Sequence, residues 1–210
     1  MKIGIMGGTF DPVHNGHLML AEYAYRRFSL DEVWFLPNGH PPHKASPSIR
    51  KDTADRVKMV ELAIEDYPKF RLSTYETERT RTCYSWQTME HFTSEFPEHD
   101  FFFIIGADSL FSMESWVNVK RFLALTTVLA AYRDDIDTPE EMNSQIEYLN
   151  RKYNGDIRLL KTPIVQISSH EIREKLCLGE TDNLPVPEKV ADYILQNHLY
   201  QGEEDDRNHS

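Results

Sequence analysis

Short apolar runs alternate with longer amphipathic segments along this chain, and this alternation restricts its fold more than any other feature. Runs of strand length lie at residues 2–6, 32–36, 70–74, 101–105, 126–132 and 157–160. Helical spacing of apolar residues is found at residues 18–28, 51–66, 84–96 and 187–195, and capping patterns at Thr138 and Ser168 open two further helices. Such alternation predicts a single-domain α/β fold with a doubly wound parallel sheet. Ligands of these sheets bind at the carboxyl ends of the strands.

The overall charge of the chain limits its partners. The formal net charge is -11, whereas nonspecific nucleic-acid binding depends on Lys and Arg side chains that neutralise phosphates. We therefore expect no nucleic-acid partner, and no apolar run approaches membrane-spanning length, so we expect no membrane partner. A small anionic substrate is still possible, but it requires a local group of positively charged side chains.

Composition along the chain and the two cysteines indicate the domain organisation and the cellular location. Residues 1–202 are predicted to form one domain, and residues 203–210 an acidic, disordered tail. The two cysteines, Cys83 and Cys177, form neither a disulfide framework nor a metal-type pair, which predicts a cytoplasmic location. Composition does not define the oligomeric state, and a homo-oligomer is possible.

The segment that carries most chemical information reads GIMGGTFDPVHNGH, residues 4–17. Gly7 and Gly8 are expected to end the first strand and to let the backbone approach a ligand closely. His14 and His17 have the spacing that places two side chains on one face of a helix. Because a helix N-terminus has free amides and a partial positive charge, the segment predicts a phosphate site. The alternative is an ordinary strand, turn and helix with surface histidines.

The string GGTFDPVHNGH resembles the signature of the nucleotidylyltransferase superfamily. In those enzymes a phosphate of one substrate attacks the α-phosphate of a nucleoside triphosphate, and pyrophosphate leaves. A histidine at position 14 is similar to the bacterial nicotinate mononucleotide adenylyltransferases, whereas the phosphopantetheine branch usually has threonine there. The resemblance implies a Rossmann-like nucleotidylyltransferase fold.

Three further segments fit the same family in the expected order. The run PNGHPPHK, residues 37–44, resembles its proline-rich loop, whose lysine reaches substrate phosphates. Gly106 and Asp108 follow a predicted strand and resemble the Gly-Ala-Asp segment, with Trp116 downstream; Asp108 is a candidate for ribose binding and also for a helix N-cap. Residues 167–173 resemble an Ile-Ser-Ser-Thr…Arg motif.

Two departures from the family pattern affect the second substrate and the last motif. Where the family commonly reads Glu-x-x-Arg-x-Gly-x-Ser-Tyr-Thr, this chain has Arg81 for the glycine, and Cys83 and Ser85 for Ser and Thr. Because that segment helps hold the nicotinate ring in the family, preference between acid and amide acceptors stays open. His170 replaces the usual threonine after the paired serines.

The resemblance implies adenylyl transfer from ATP to nicotinate mononucleotide in NAD biosynthesis, with Mg²⁺ as a partner of the triphosphate and no protein residue assigned as its ligand. The implied catalytic residues are His14, His17, Lys44 and Arg173. The implied ATP-binding residues are Gly7, Gly8, Thr9, Phe10, His17, Gly106, Asp108, Ile167, Ser168, Ser169 and Arg173. The implied acceptor-binding residues are Asn38, Lys44, Tyr84, Ser85 and Trp116. Two alternatives are a nucleotidylyltransferase with another acceptor, such as nicotinamide mononucleotide or phosphopantetheine, and a nucleotide-binding sensor without turnover.

Overall fold

A computed structural model describes residues 1–39, 52–132, 138–162 and 167–201. Two expectations from the sequence lie outside these ranges. One is the proline-rich loop at residues 40–48 with Lys44, and the other is the acidic tail at residues 203–210.

The described strands form one parallel sheet. Its members are β1 (Lys2–Gly8), β2 (Glu32–Pro37), β3 (Phe70–Leu72), β4 (Asp100–Gly106), β5 (Thr127–Tyr132) and β6 (Ile157–Lys161). The strand order is β3-β2-β1-β4-β5-β6, which confirms the doubly wound α/β prediction. The order reverses between β1 and β4, where the carboxyl ends of neighbouring strands leave a crevice for a ligand.

The prediction that Gly7 and Gly8 end the first strand is wrong. The strand continues through both glycines, because Gly7 pairs with Leu36 and Gly8 pairs with Pro37 in the parallel ladder. The chain leaves the ladder only after Gly8, and Phe10 then adopts a left-handed backbone with φ of 52°. The glycines therefore bring the last ladder positions of β1 to the crevice.

Eight helices in the described part of the chain cover the sheet. They are α1 (Asn15–Phe28), α2 (Thr53–Ile64), α3 (Ser85–Glu95), α4 (Ala107–Phe111), α5 (Val119–Leu125), α6 (Pro139–Tyr153), α7 (Ser169–Cys177) and α8 (Glu188–Gln196). A 3₁₀ turn, Met113–Ser115, lies between α4 and α5. The sequence predicted the six longer helices, whereas α4 and α5 are too short for apolar periodicity to reveal them.

Of three N-caps expected from the sequence, two are confirmed by the structure and one is wrong. Thr138 caps α6 and Ser168 caps α7, each accepting a hydrogen bond from a backbone amide of the first turn. The expectation that Asp108 is an N-cap is wrong. Gly106 is the N-cap of α4, and Asp108 lies in its first turn, where a negative charge is still favourable.

Buried apolar side chains form one cluster on each face of the sheet. One cluster joins the sheet to α1, α2, α7 and α8, and the other joins it to α3, α4, α5 and α6. The central strand β4 serves both, since Phe102 and Ile104 face one cluster while Phe103 and Ile105 face the other. Among the described helices, none is long and apolar enough to span a membrane.

Candidate active site

A cavity of about 670 Å³ opens where β1, β2 and β4 end, at the reversal of strand order. Eight residues selected from the sequence line it: Gly7, Gly8, His17, Asn38, Tyr84, Ser85, Gly106 and Trp116. The first wall consists of the end of β1 and the first turn of α1, and the second consists of the start of α3 and Trp116. Four of the residues predicted for ATP and four of those predicted for the acceptor therefore line one cavity.

The two histidines of the signature form a stacked pair at the start of α1. Their ring centroids are 3.7 Å apart, and the His17 ring also meets the edge of Phe10 at 5.0 Å. The backbone N–H of His14, the N-cap residue, donates to Nδ1 of His17 at 3.2 Å. A neutral imidazole whose Nδ1 accepts a hydrogen bond carries its proton on Nε2. His17 can therefore offer an Nε2–H donor to a ligand in the cavity.

Burial keeps both histidines neutral near neutral pH. It lowers the pKa of His14 from 6.5 to about 4. It also lowers the pKa of His17 well below 6.5, and the neighbouring His14 lowers it further. The sequence suggested that these residues help to form a local positive cluster. In the free protein both rings are neutral near neutral pH, and His17 offers a hydrogen-bond donor instead of a positive charge.

The loop between β1 and α1 is held by residues of the C-terminal part of the chain. Tyr200 donates its phenol hydrogen to Oδ1 of Asp11 at 2.6 Å, and both side chains are buried. Ser169 donates to the carbonyl of Pro12 at 2.9 Å, and Arg173 Nη1 donates to the carbonyl of Asp11 at 2.7 Å. These contacts fix the loop, and they place the guanidinium of Arg173 beside the signature segment.

A buried arginine joins the ends of β1 and β2 beside the cavity. Arg56 in α2 is 1% exposed, and its Nη1 donates to the carbonyl of Thr9 at 2.7 Å. Its Nη2 donates to the carbonyl of Asn38 at 2.9 Å. Burial lowers the pKa of Arg56, while Asp11 and other nearby acidic groups oppose that shift. Because Thr9 follows β1 and Asn38 follows β2, one side chain sets the spacing between two adjacent strand ends.

The start of α7 lies next to the start of α1. A Cβ built on Gly16 would lie 3.6 Å from Cβ of Ile167 and 3.0 Å from Nδ1 of His14. Gly16 thus leaves room for the His14 ring between the two helix starts. Two helix N-termini and the Arg173 guanidinium make this region suitable for a phosphate chain.

The second wall is aromatic and polar. Tyr84 is the N-cap of α3 and Ser85 its first residue, and both line the cavity. Trp116 is half-buried, and its ring lies 5.2 Å from Phe122 and 6.4 Å from Phe103. Because this packing fixes one side of the indole, the cavity has a rigid aromatic surface against which a flat ring can stack.

Comparison with known proteins identifies the family. The cytidylyltransferase-like family model matches residues 5–175. A protein of Lachnoclostridium phytofermentans named probable nicotinate-nucleotide adenylyltransferase is 40% identical over 199 residues, covering 95% of this chain and 98% of that protein. This chain belongs to the nicotinate-nucleotide adenylyltransferase family.

Solved structures show the same fold. The nicotinic acid mononucleotide adenylyltransferase of Plasmodium falciparum complexed with APC matches with a TM-score of 0.76 and 19% identity, covering 95% of this chain and 96% of that one. The same Plasmodium falciparum protein complexed with NaAD also gives 0.76 at 19% identity, covering 95% and 97%. The fold and the family inferred from the sequence are therefore confirmed.

Eight described residues that the family resemblance selected lie outside the lining of the cavity: Thr9, Phe10, His14, Asp108, Ile167, Ser168, Ser169 and Arg173. The Phe10 ring is buried against His17 and Phe35, so only its backbone can meet a ligand directly. Asp108 is exposed on the first turn of α4. Thr9 lies in the loop that follows β1 and His14 is the N-cap of α1, while Ser169 and Arg173 bond to the carbonyls of that loop.

Sequence reasoning missed several residues that shape this family site. Arg56 has the pattern of a solvent-facing helix residue, and nothing in its neighbourhood indicates burial. Asp11 and Tyr200 are 189 positions apart, so no local pattern connects them. Glu76 opens the segment that departs from the family pattern, and no local pattern indicates that its carboxyl group is buried. Its burial and its position in the cavity are visible only in three dimensions.

Proposed function

We propose that this chain transfers the adenylyl group of ATP to the phosphate of nicotinate mononucleotide. An oxygen of the acceptor phosphate forms a bond to the α-phosphorus of ATP, while the bond from that phosphorus to the bridging β-oxygen breaks. The products are the deamido form of NAD and pyrophosphate. The observation that carries this proposal is one cavity lined both by Gly7, Gly8 and His17 of the signature and by the acceptor residues Tyr84, Ser85 and Trp116.

For this reaction the protein has to position the two phosphates and stabilise the charge of the transition state. The attacking phosphate oxygen is already anionic, so no general base has to remove a proton. His17 donates from Nε2 to the α-phosphoryl oxygens, where negative charge changes during transfer. Arg173 and the start of α7 hold the β- and γ-phosphates, and Lys44 bridges the phosphates of both substrates.

The acceptor occupies the wall formed by Tyr84, Ser85 and Trp116. Its pyridine ring stacks on the fixed indole of Trp116, and the start of α3 meets the substituent of the ring. In support, the relative from Lachnoclostridium phytofermentans carries the name of a nicotinate-nucleotide adenylyltransferase, and the Plasmodium falciparum protein was solved with NaAD. Small nucleotides are therefore the ligands of this chain.

Magnesium enters with ATP in this proposal. Within the described ranges, no group of three His, Cys, Asp or Glu side chains could hold a metal ion. Mg²⁺ keeps several waters and is commonly bound through substrate phosphates, so the proposal assigns it no protein ligand. The ion reduces the negative charge of the triphosphate, and the protein residues orient the two phosphates for in-line transfer.

Two isosteric changes at His17 test its assigned role. His17→Asn places a polar atom near the Nδ1 position and keeps an acceptor for the His14 amide, but it removes the donor at Nε2. We expect a loss in kcat of ~10²–10³-fold with unchanged thermal unfolding. His17→Gln places its amide near the Nε2 position and should retain more turnover than Asn. His91→Asn, a change at a surface histidine of α3, is the control and should leave kcat unchanged.

The measurement is initial-rate pyrophosphate release with ATP, Mg²⁺ and nicotinate mononucleotide. A near-normal rate for folded His17→Asn would contradict the role of His17. Equal loss in the Asn and Gln variants would place its contribution in the helix start rather than in a hydrogen bond to the phosphoryl group.

A further inference from the structure

A buried carboxyl group lies in the acceptor half of the cavity. Glu76 is 7% exposed, and it lines the cavity together with Tyr84 and Ser85. Thr88, in the second turn of α3, donates its hydroxyl hydrogen to Oε1 of Glu76 at 2.7 Å. In the described part of the chain, Oε2 accepts no hydrogen bond. Glu76 thus has one oxygen fixed against α3 and one oxygen available to a ligand.

Backbone contacts also hold Glu76 in place. A Cβ on Gly39 would lie 2.4 Å from the Glu76 carbonyl oxygen, so only glycine allows the turn after β2 to pack here. The carbonyl of Glu76 also accepts from the backbone N–H of Arg79 at 3.3 Å. These contacts hold the Glu76 carboxyl in a defined place relative to the second wall of the cavity.

No cation forms a hydrogen bond with this carboxyl in the described structure. The Arg79 guanidinium lies over the Tyr75 ring, 3.3 Å from its centroid, and donates to the Tyr75 carbonyl instead. Burial raises the pKa of Glu76 to about 7, and the Thr88 hydrogen bond and the charge of Arg79 oppose that rise. The other titratable groups that interact with Glu76 are Cys83 and Tyr75.

We propose that the Glu76 carboxyl contacts the substituent on the pyridine ring of the acceptor and so sets the preference between acid and amide acceptors. This inference rests on the proposed function. When protonated, Glu76 donates a hydrogen bond to the carboxylate of nicotinate mononucleotide. When ionised, it repels that carboxylate but can accept a hydrogen bond from the carboxamide of nicotinamide mononucleotide. The preference for the acid therefore falls as the pH rises through the titration of Glu76.

The test compares kcat/KM for the two acceptors between about pH 6 and about pH 8. Both acceptors carry the same phosphate and use the same ATP, so the titrations of those groups cancel in the ratio of acid to amide. With half-ionisation near neutral pH, the protonated fraction of Glu76 falls about tenfold over this range, and the ratio should fall by at least a similar factor. Glu76→Gln keeps the shape and cannot ionise, so its ratio should be independent of pH.

Two further variants sharpen the test. Glu78→Gln changes an exposed carboxylate of the same segment and should keep the pH profile of the unaltered protein. Thr88→Val removes the hydroxyl that stabilises the ionised form of Glu76, so the fall in the ratio should move to a higher pH. This variant also serves if Glu76→Gln does not fold.

The outcomes separate the inference from the function on which it rests. A flat ratio in the unaltered protein, an unchanged fall in folded Glu76→Gln, or no shift in folded Thr88→Val would overturn the role of Glu76 while leaving adenylyl transfer intact. Failure of the proposed function has a different signature, namely no pyrophosphate release with either acceptor at any pH.

Discussion

Acid should destabilise this protein through His14. Burial lowers the pKa of His14 in the folded protein from 6.5 to about 4, whereas the unfolded chain keeps the ordinary value. The folded state therefore has no penalty from His14 above about pH 6.5, and the penalty grows as the pH falls toward about 4. A lowering from 6.5 to about 4, at ~1.4 kcal/mol for each pKa unit, gives a full loss of about 3.5 kcal/mol once the pH is below both values.

The perturbation that isolates this loss is His14→Gln. The effect of this substitution on packing does not depend on pH. The pH-dependent part of the change in stability therefore reports the loss of the His14 titration and of its effect on His17. Urea unfolding measured at about pH 7.5 and about pH 4.5 should show a pH-dependent loss that is ~2–3 kcal/mol smaller in His14→Gln than in the unaltered protein.

The control is His91→Gln, at a surface histidine that forms an ion pair with Glu95. It should differ from the unaltered protein by much less than His14→Gln does. Equal pH-dependent losses in the unaltered protein and in His14→Gln would refute the conclusion that burial keeps His14 neutral. The view of the histidine pair as neutral hydrogen-bond donors would then also be wrong.

Three other perturbations follow from the site. Arg56→Met leaves the carbonyls of Thr9 and Asn38 without their hydrogen-bond donor. The free energy of unfolding, measured by urea denaturation, should fall by ~2–5 kcal/mol. Arg56→Lys keeps a positively charged donor and should lose less stability than Arg56→Met. Gly39→Ala forces a Cβ to within 2.4 Å of the Glu76 carbonyl oxygen, and it should cost ~1–3 kcal/mol and raise KM for the acceptor more than KM for ATP. Equal effects on both KM values would contradict the assignment of that turn to the acceptor. Removing Mg²⁺ with a chelator should abolish pyrophosphate release. It should leave the melting temperature of the protein unchanged, because Mg²⁺ is proposed to bind as a complex with ATP. A lowered melting temperature would instead indicate a metal held by the protein.

The sequence predicted the sheet well because the pattern of a buried parallel strand is local. The run FFFII needs no distant partner to be recognised, and all six predicted strands exist, with shifted ends such as that of β1 at Gly8. Helices α4 and α5 were not predicted, because helices of 5 and 7 residues have too few turns to show a periodic apolar pattern. The end of β1 was misplaced because ladder pairing with β2 outweighs the low strand propensity of two glycines.

The candidate site was predictable in its residue types and not in its electrostatics. The spacing of His14 and His17 placed both side chains on one helix face, but their neutral state depends on burial by distant parts of the chain. Arg56 is invisible as a site residue because its two carbonyl partners come from other elements. Glu76 has a raised pKa for the same reason, since its surroundings come from α3 and from the turn at Gly39.

The most direct test of the central proposal is to incubate the full chain with ATP and Mg²⁺, adding in turn nicotinate mononucleotide, nicotinamide mononucleotide, phosphopantetheine or no acceptor. Pyrophosphate and the adenylylated product are then quantified together. We expect equimolar pyrophosphate and deamido-NAD, with the highest kcat/KM for nicotinate mononucleotide at about pH 6. Binding of ATP without pyrophosphate release in any of these mixtures would contradict it, as would a preference for phosphopantetheine.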